Sequence, residues 1–197
     1  MGIGSDDFSA FLSASEQRIL VFSGYFDRAL PSVESFCPAS GEWTILEGAS
    51  VNRCRTKFAA VPTSRGTVFI LGGKTENGER SDLVEEFDPV SGVMTEIARM
   101  AKPLSGFAAV EAFNRLYVIG GNDGRVRAAV DVLDLSTLSW SRGPSLNEKR
   151  DELAATLGPD GHIYAVGGYG MNNNQCLVSA ERLSLNGGSW EQLPAMN

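Results

Sequence analysis

A double glycine that ends a short apolar run recurs along the chain at nearly constant spacing. The full copies are Ile70–Gly73, Val118–Gly121 and Ala165–Gly168, and a weaker copy is Val21–Gly24. The first position of each pair falls at residue 23, 72, 120 or 167, so the steps are 49, 48 and 47 residues. A fixed period in this range is typical of repeat architectures. We therefore expect one structural unit repeated four times.

Short runs with strand character, separated by turn residues, fill each repeat. In the third repeat we predict strands a, b and c at Phe107–Val110, Leu116–Ile119 and Ala129–Leu133, with strand d beginning at Ser139. The same plan fits the other copies, and no segment has a helical period. We predict a single domain over residues 1–197, divided into repeats at approximately 6–50, 51–102, 103–147 and 148–197.

Two large apolar residues seven positions apart mark the predicted c–d hairpin of every repeat. These pairs are Phe36 and Trp43, Phe87 and Met94, Leu133 and Trp140, and Leu183 and Trp190. An acid lies two positions before the first member of each pair; these acids are Glu34, Glu85, Asp131 and Glu181. Because a catalytic acid is needed once and not four times, recurrence predicts a structural role for them.

A small twisted sheet of four short strands has two apolar faces that need cover. Packing such sheets face to face around an axis covers both faces, which predicts an all-β propeller with four four-stranded blades. The tryptophans would then fill the gaps between neighbouring blades. If the four blades are an open arc, the first and last blades keep one apolar face uncovered, and we expect self-association.

Charge and cysteine content narrow the kinds of partner. The chain has 17 basic and 24 acidic side chains, a net charge of −7. This argues against nucleic-acid binding, which needs a basic stripe.

Cys37, Cys54 and Cys176 are widely spaced and odd in number, so we expect reduced thiols in a cytoplasmic or nuclear protein. The absence of a long apolar run predicts no membrane span, and the first residues do not resemble a secretory signal.

A strand that ends in Gly-Gly, followed by a large residue and then a Trp at fixed spacing, resembles the kelch repeat. The pattern departs from the family at Ser23, at Met94 in place of Trp, and at Leu133 and Leu183 in place of Tyr or Phe. The resemblance implies a kelch-type β-propeller, and because six blades are common in that family, the chain could be an arc of a larger ring.

A second likeness is to the kelch domains of BTB-kelch adaptors of cullin-type ubiquitin ligases. Those domains have aromatic residues directly after the glycines, as at Tyr25 and Tyr169. They also have an arginine just ahead of strand a, as at Arg55 and Arg150, whereas Ser5 and Leu104 occupy the other two such positions. The likeness implies substrate recognition for a ubiquitin ligase.

The b–c and d–a loops differ most between repeats and would emerge on one face of the propeller. A rigid scaffold that presents varied loops is suited to recognition. We therefore predict a protein- or peptide-binding module. Exposed aromatic and arginine side chains are the types that carry binding energy at interfaces, and the predicted partner-binding residues are Tyr25, Arg55, Lys74, Asn122, Arg150 and Tyr169.

Other functions have less support in the sequence. We predict no catalytic residue, metal or cofactor, because the only histidine, His162, lies in an a–b turn away from the proposed site. A sugar-binding or sugar-epimerising kelch protein could use Arg55, Arg150 and Glu76, so this alternative stays open. A purely structural blade array is the other alternative.

Overall fold

The computed structural model describes residues 9–13, 18–26, 28–50, 55–170 and 176–196; for 9–13, 23–26, 28–32 and 47–50 it describes the backbone alone. The described residues form strands and turns and contain no helix. The strands are β1 (Ser9–Ser13), β2 (Arg18–Phe26), β3 (Arg28–Cys37), β4 (Glu42–Ser50), β5 (Arg55–Thr56), β6 (Ala59–Pro62), β7 (Val68–Leu71), β8 (Lys74–Thr75), β9 (Leu83–Asp88), β10 (Val93–Arg99), β11 (Ala108–Ala112), β12 (Arg115–Ile119), β13 (Val130–Asp134), β14 (Ser139–Arg142), β15 (Ala154–Leu157), β16 (His162–Val166), β17 (Ala180–Ser184) and β18 (Trp190–Gln192).

The strands form four antiparallel four-stranded sheets, one for each predicted repeat. The sheets are β1-β2-β3-β4, β6-β7-β9-β10, β11-β12-β13-β14 and β15-β16-β17-β18, and β5 and β8 form a separate two-stranded ladder. Chain order from a to d equals spatial order within each sheet. This confirms the predicted all-β architecture of four four-stranded blades, which we number 1 to 4.

Blade 1 departs from the predicted strand lengths. Strand β2 continues through Ser23-Gly24, with Gly24 opposite Leu30 and Tyr25 opposite Ala29 on β3. In the other blades both glycines of the pair have positive φ and the strand ends there, as at Gly72 (55°) and Gly73 (91°). A serine in place of the first glycine disfavours that backbone and favours continued extension. Tyr25, predicted in a b–c loop, therefore lies in a strand.

The chain divides into two compact units, one up to Ser105 and one from Gly106 onward. Blades 1 and 2 lie in the N-terminal unit, and blades 3 and 4 lie in the C-terminal unit. The division falls close to the predicted boundary between the second and third repeats. Whether residues 1–197 act as one domain stays a prediction.

Each unit has a core made by the facing sheets of its two blades. In the N-terminal unit, Leu20 and Phe22 of blade 1 pack with Ile70 and Phe87 of blade 2, and the rings of Phe22 and Phe87 meet edge-on at 5.2 Å. In the C-terminal unit, Trp190 of blade 4 is 3% exposed within a cluster of residues from blades 3 and 4. Burial of these apolar faces stabilises the pairs of blades, since neither face could remain open to water at low cost.

The bulky residues of the c–d hairpins lie directly opposite each other, as their spacing predicts. The observed pairs are Phe36↔Trp43, Phe87↔Met94, Leu133↔Trp140 and Leu183↔Trp190. Trp190 fills the gap between blades 3 and 4, and its Nε1 donates to the carbonyl oxygen of Pro144 in blade 3 at 2.9 Å. Trp43 is different, because 58% of it is exposed.

The cysteines that the structure describes are free thiols. Cys176 is exposed, Cys37 is half-buried, and Cys54 lies outside the described residues. Cys37 begins the c–d turn of blade 1, where the Ser40 hydroxyl and the Ser40 and Ala39 backbone N–H groups lower the pKa of its thiol. Asp88 begins the corresponding turn of blade 2, and its carboxylate accepts bonds from the Val90 N–H and the Ser91 hydroxyl.

Candidate partner-binding surface

The same backbone network lies beneath the b–c and d–a loops in both units. In the N-terminal unit, the Gly73 N–H donates to the Leu104 carbonyl at 2.8 Å, and the Leu104 N–H donates to the Ser81 carbonyl at 3.0 Å. In the C-terminal unit, the Gly121 N–H donates to the Arg150 carbonyl at 2.7 Å, and the Arg150 N–H donates to the Arg127 carbonyl at 3.0 Å. The second glycine therefore anchors the d–a loop that leads into the next repeat.

The residue after the double glycine pairs with the d–a loop of its own blade. Tyr169 and Asp151 exchange two backbone hydrogen bonds, of 2.6 and 2.9 Å, and Lys74 pairs with Thr56 in the β5–β8 ladder. This close approach excludes side chains at the second glycine. A Cβ on Gly168 would lie 2.5 Å from the Asp151 carbonyl oxygen, and one on Gly73 would lie 2.7 Å from that of Thr56.

Arg150 is fully buried and binds groups of blade 4. Its guanidinium contacts Oε1 of Glu181 through Nε at 3.2 Å and Nη2 at 3.1 Å. It also donates to the carbonyls of Gly167 and Ser179, at 2.9 and 3.0 Å. The Asn147 N–H donates to the other oxygen of Glu181 at 2.7 Å. Arg150 and Glu181 thus tie the d–a loop to strand β17, with the buried charges paired and hydrogen-bonded.

Arg55 occupies the same place in blade 2. It is also fully buried, forms an ion pair with Glu85, and donates to the Ser81 hydroxyl at 3.2 Å. The expectation that Arg55 and Arg150 are exposed anchors is therefore wrong, because both guanidinium groups are inside the fold. Their partners are two of the recurring acids, Glu85 and Glu181. The predicted structural role of these acids thus has a physical basis in blades 2 and 4.

Blade 3 binds its recurring acid in another way. Leu104 stands at the arginine position. The acid Asp131 is contacted instead by Arg127 from the b–c loop, at 3.0 Å, and by Arg142 from strand β14. Arg127 also lies 3.8 Å from Asp123 in the same loop. The b–c loop of blade 3 is therefore held by a local ion-pair network.

Two of the predicted partner-binding residues come together in the C-terminal unit. Asn122 Nδ2 donates to Asp151 Oδ2 at 2.9 Å, and Asp151 pairs through its backbone with Tyr169. Tyr169 is 39% exposed, while Asn122 and Asp151 are half-buried. We call Asn122, Asp151 and Tyr169 the Tyr169 surface. Asp151 was not predicted, although its position directly after Arg150 is the signal that could have indicated it.

Apart from the buried Arg150, the other predicted residues lie in the N-terminal unit. Lys74 is half-buried in strand β8, at the start of a hairpin whose residues 76–79 are exposed. Tyr25 lies in strand β2, and the structure describes only its backbone. Within this unit, Arg55 and Lys74 lie on paired strands, with Arg55 opposite Thr75.

The described residues offer no group of three or more His, Cys, Asp or Glu side chains able to hold a metal ion. His162 lies at the beginning of strand β16, the end opposite to the double glycine, with its Nδ1 3.2 Å from Asp160. In the described part of the chain, no helix is long and apolar enough to cross a membrane.

Comparison with known proteins gives consistent matches. The Kelch motif family model matches residues 103–147 and 153–197. Kelch-like protein 25 of Xenopus tropicalis is 26% identical over 141 residues, which cover 72% of this chain and 23% of that protein. Kelch-like protein 26 of Danio rerio is 27% identical over 169 residues, which cover 83% of this chain and 27% of that protein. The chain thus spans about a quarter of the length of these curated relatives.

The fold also matches that of a solved structure. The structure of YjhT superposes with a TM-score of 0.77 at 12% sequence identity, over 95% of this chain and 68% of that one. At this identity the likeness concerns the fold alone. The kelch-type β-propeller predicted from the repeats is confirmed.

Proposed function

We propose that this chain, two of whose repeats match the Kelch motif, binds a protein or peptide through its b–c and d–a loops. The observation that carries the proposal is a constant framework beneath varied loops. The same glycine and d–a loop bonds recur in both units, while Lys74, Asn122 and Tyr169 follow the double glycine in blades 2, 3 and 4. A stable base under different side chains is the arrangement that recognition needs.

The Tyr169 surface is the part of this region best suited to contact a partner. Tyrosine contributes apolar area and a hydroxyl with few rotatable bonds, which suits it to interfaces. The backbone pairing with Asp151 holds Tyr169 in place before a partner arrives, so binding orders few additional groups. Asn122 and Asp151 add polar atoms beside the ring. We include Lys74 and its exposed hairpin as a second contact, within the N-terminal unit.

The finer proposal is that the module selects substrates for a cullin-type ubiquitin ligase in the cytoplasm or nucleus. Its support is the resemblance to BTB-kelch adaptors and the similarity to Kelch-like proteins. A sugar-directed function receives no corresponding support, since two of the three groups that favoured it, Arg55 and Arg150, are buried in ion pairs.

Affinity capture with matched variants tests the proposal. Tyr169→Ala should reduce recovery of bound proteins by about tenfold or more, as expected for an interface aromatic. Phe113→Ala is the control, because Phe113 is a 74% exposed aromatic in the a–b turn of blade 3, away from these loops. Quantitative mass spectrometry measures both, and ubiquitin remnants on the recovered proteins test the ligase role.

Recovery that is unchanged by Tyr169→Ala, or reduced equally by Phe113→Ala, would contradict binding at the Tyr169 surface. Circular dichroism of each variant separates lost contact from lost structure.

A further inference from the structure

The outer strand of blade 1 is unlike those of the other blades. Trp43 is 58% exposed, whereas its counterpart Trp190 is 3% exposed against blade 3. Met94, the counterpart in blade 2, packs against the core that blades 1 and 2 share. In blades 2 and 4 the bulky residue of strand d is therefore covered by a core shared with the preceding blade. In blade 1 the same position is open.

The residue two positions after Trp43 is also an exposed apolar residue, unlike its counterparts in the other blades. Ile45 lies opposite the recurring acid Glu34, and it is 62% exposed. The equivalent positions, opposite the recurring acids of the other blades, are polar: Glu96, Arg142 and Gln192. Blade 1 thus presents two neighbouring exposed apolar residues on one strand, where the other blades present a polar one after the bulky residue.

Strand β4 is also the longest outer strand among the four described blades. It spans nine residues at the edge of its sheet, whereas β14 and β18 span four and three. Strand β10 spans seven, but it has a register shift after Glu96 and an ion pair between Glu96 and Arg99. Short strands, charges and bulges are the usual means of preventing edge pairing. Strand β4 also has a register shift after Ile45, but its regular part, residues 42–45, carries two exposed apolar residues, Trp43 and Ile45.

The far face of blade 4 does not complement this strand. In blade 3, Val110 and Val132 flank Tyr117 on the face that blade 4 covers. In blade 4 the corresponding neighbours of Tyr164 are Thr156 and Arg182, and Arg182 forms a 2.8 Å ion pair with Glu191. A polar face of this kind offers little apolar area for Trp43 and Ile45 of another copy to cover. Head-to-tail stacking of two copies is therefore disfavoured.

We propose that strand β4 pairs with strand β4 of a second copy of this chain, antiparallel, across a two-fold axis at Thr44. This register places Trp43 opposite Ile45 of the second copy, an aromatic and β-branched pair that favours association. Glu42 then faces Leu46, so the charge of Glu42 does not lie opposite a like charge. The strand is thus complementary to itself, which is the condition for a two-fold interface.

Sedimentation equilibrium on the 197-residue chain tests the dimer. We expect a monomer–dimer equilibrium, with Ile45→Lys raising the dissociation constant by at least about tenfold, because it places a charge on the edge. Val90→Lys is the matched control, since Val90 is 84% exposed in the c–d turn of blade 2. A monomer at every concentration, or a dimer equally stable in both variants, would overturn the proposal.

Disulfide trapping tests the register independently of any charge. Cys37, Cys54 and Cys176 are first replaced by serine. Thr44→Cys should then cross-link two copies, because opposite residues of antiparallel strands have Cα atoms about 4.5–5.5 Å apart, within disulfide range. Glu42→Cys should not, since the two copies of residue 42 would be about 13 Å apart. Cross-linking at residue 42 in preference to residue 44 would contradict the Thr44 axis.

Discussion

At the scale of single residues, two buried arginines hold the variable loops of blades 2 and 4 in place. Arg55 and Arg150 each join a d–a loop to a glutamate on strand c of the same blade, Glu85 or Glu181. Guanidinium suits this role because its fork of donors can satisfy a carboxylate and nearby carbonyls together. Removing one partner would leave the other charge buried and unpaired.

Arg150→Met should therefore lower the free energy of unfolding by about 3–5 kcal/mol. Arg142→Met is the control, because Arg142 forms an ion pair with Asp131 while 63% of its side chain stays exposed. Exposed pairs contribute about 0–1 kcal/mol. Urea unfolding followed by circular dichroism measures both variants. Equal losses would show that burial of Arg150 is not what makes its ion pair important.

Both members of these ion pairs could be identified from the sequence, but not their pairing. The arginines ahead of strand a and the acids on strand c lie about 30 residues apart, and contact between them depends on how the loop folds over the sheet. Residue type gives no consistent signal of the pairing. Where Leu104 replaces the arginine the acid is the shorter Asp131, but where Ser5 replaces it the acid is still Glu34. The exposed, partner-binding role of Arg55 and Arg150 was inferred from their residue type, which does not by itself show whether a side chain is buried.

At the scale of secondary-structure elements, turns and strands could be predicted from the sequence more fully than the side-chain contacts. The bulky pairs and double glycines place the blade strands close to their observed positions, because the c–d hairpin has a constant length and the glycines end strand b. Blade 1 is the exception, since Ser23 lets β2 continue to Phe26. Glycine is thus required at these positions for two reasons: the backbone has a positive φ, and the d–a loop approaches closely.

Gly168→Ala tests this second requirement. The added Cβ would lie 2.5 Å from the Asp151 carbonyl, at a φ of 89°. Gly187 has a φ of 99° and open space around its Cβ, so Gly187→Ala reports the backbone cost alone. We expect Gly168→Ala to reduce the free energy of unfolding by about 1–3 kcal/mol more, the usual cost of overpacking. Equal effects in thermal or urea unfolding would mean that the loop can move aside.

At the scale of the whole molecule, repetition decides the strand plan, and we propose that departures from repetition carry the binding function. Four blades share one strand plan, so the fold could be predicted from the spacing and residue types of the repeats. The Tyr169 surface could be predicted only in part, since the contact of Asn122 with Asp151 joins the b–c loop of blade 3 to the d–a loop of blade 4. A pattern within one repeat does not contain that contact. We therefore propose that binding occurs at positions where neighbouring repeats differ.

Hydrogen–deuterium exchange of the chain, alone and with a partner recovered by affinity capture, tests this placement most directly. The account predicts slower exchange at residues 122–127, 149–152 and 169–170 when the partner is present. Exchange at residues 113–114 and 135–138, in the a–b and c–d turns of blade 3, should be unchanged. Protection confined to those turns, with the b–c and d–a loops unaffected, would contradict recognition through the loops.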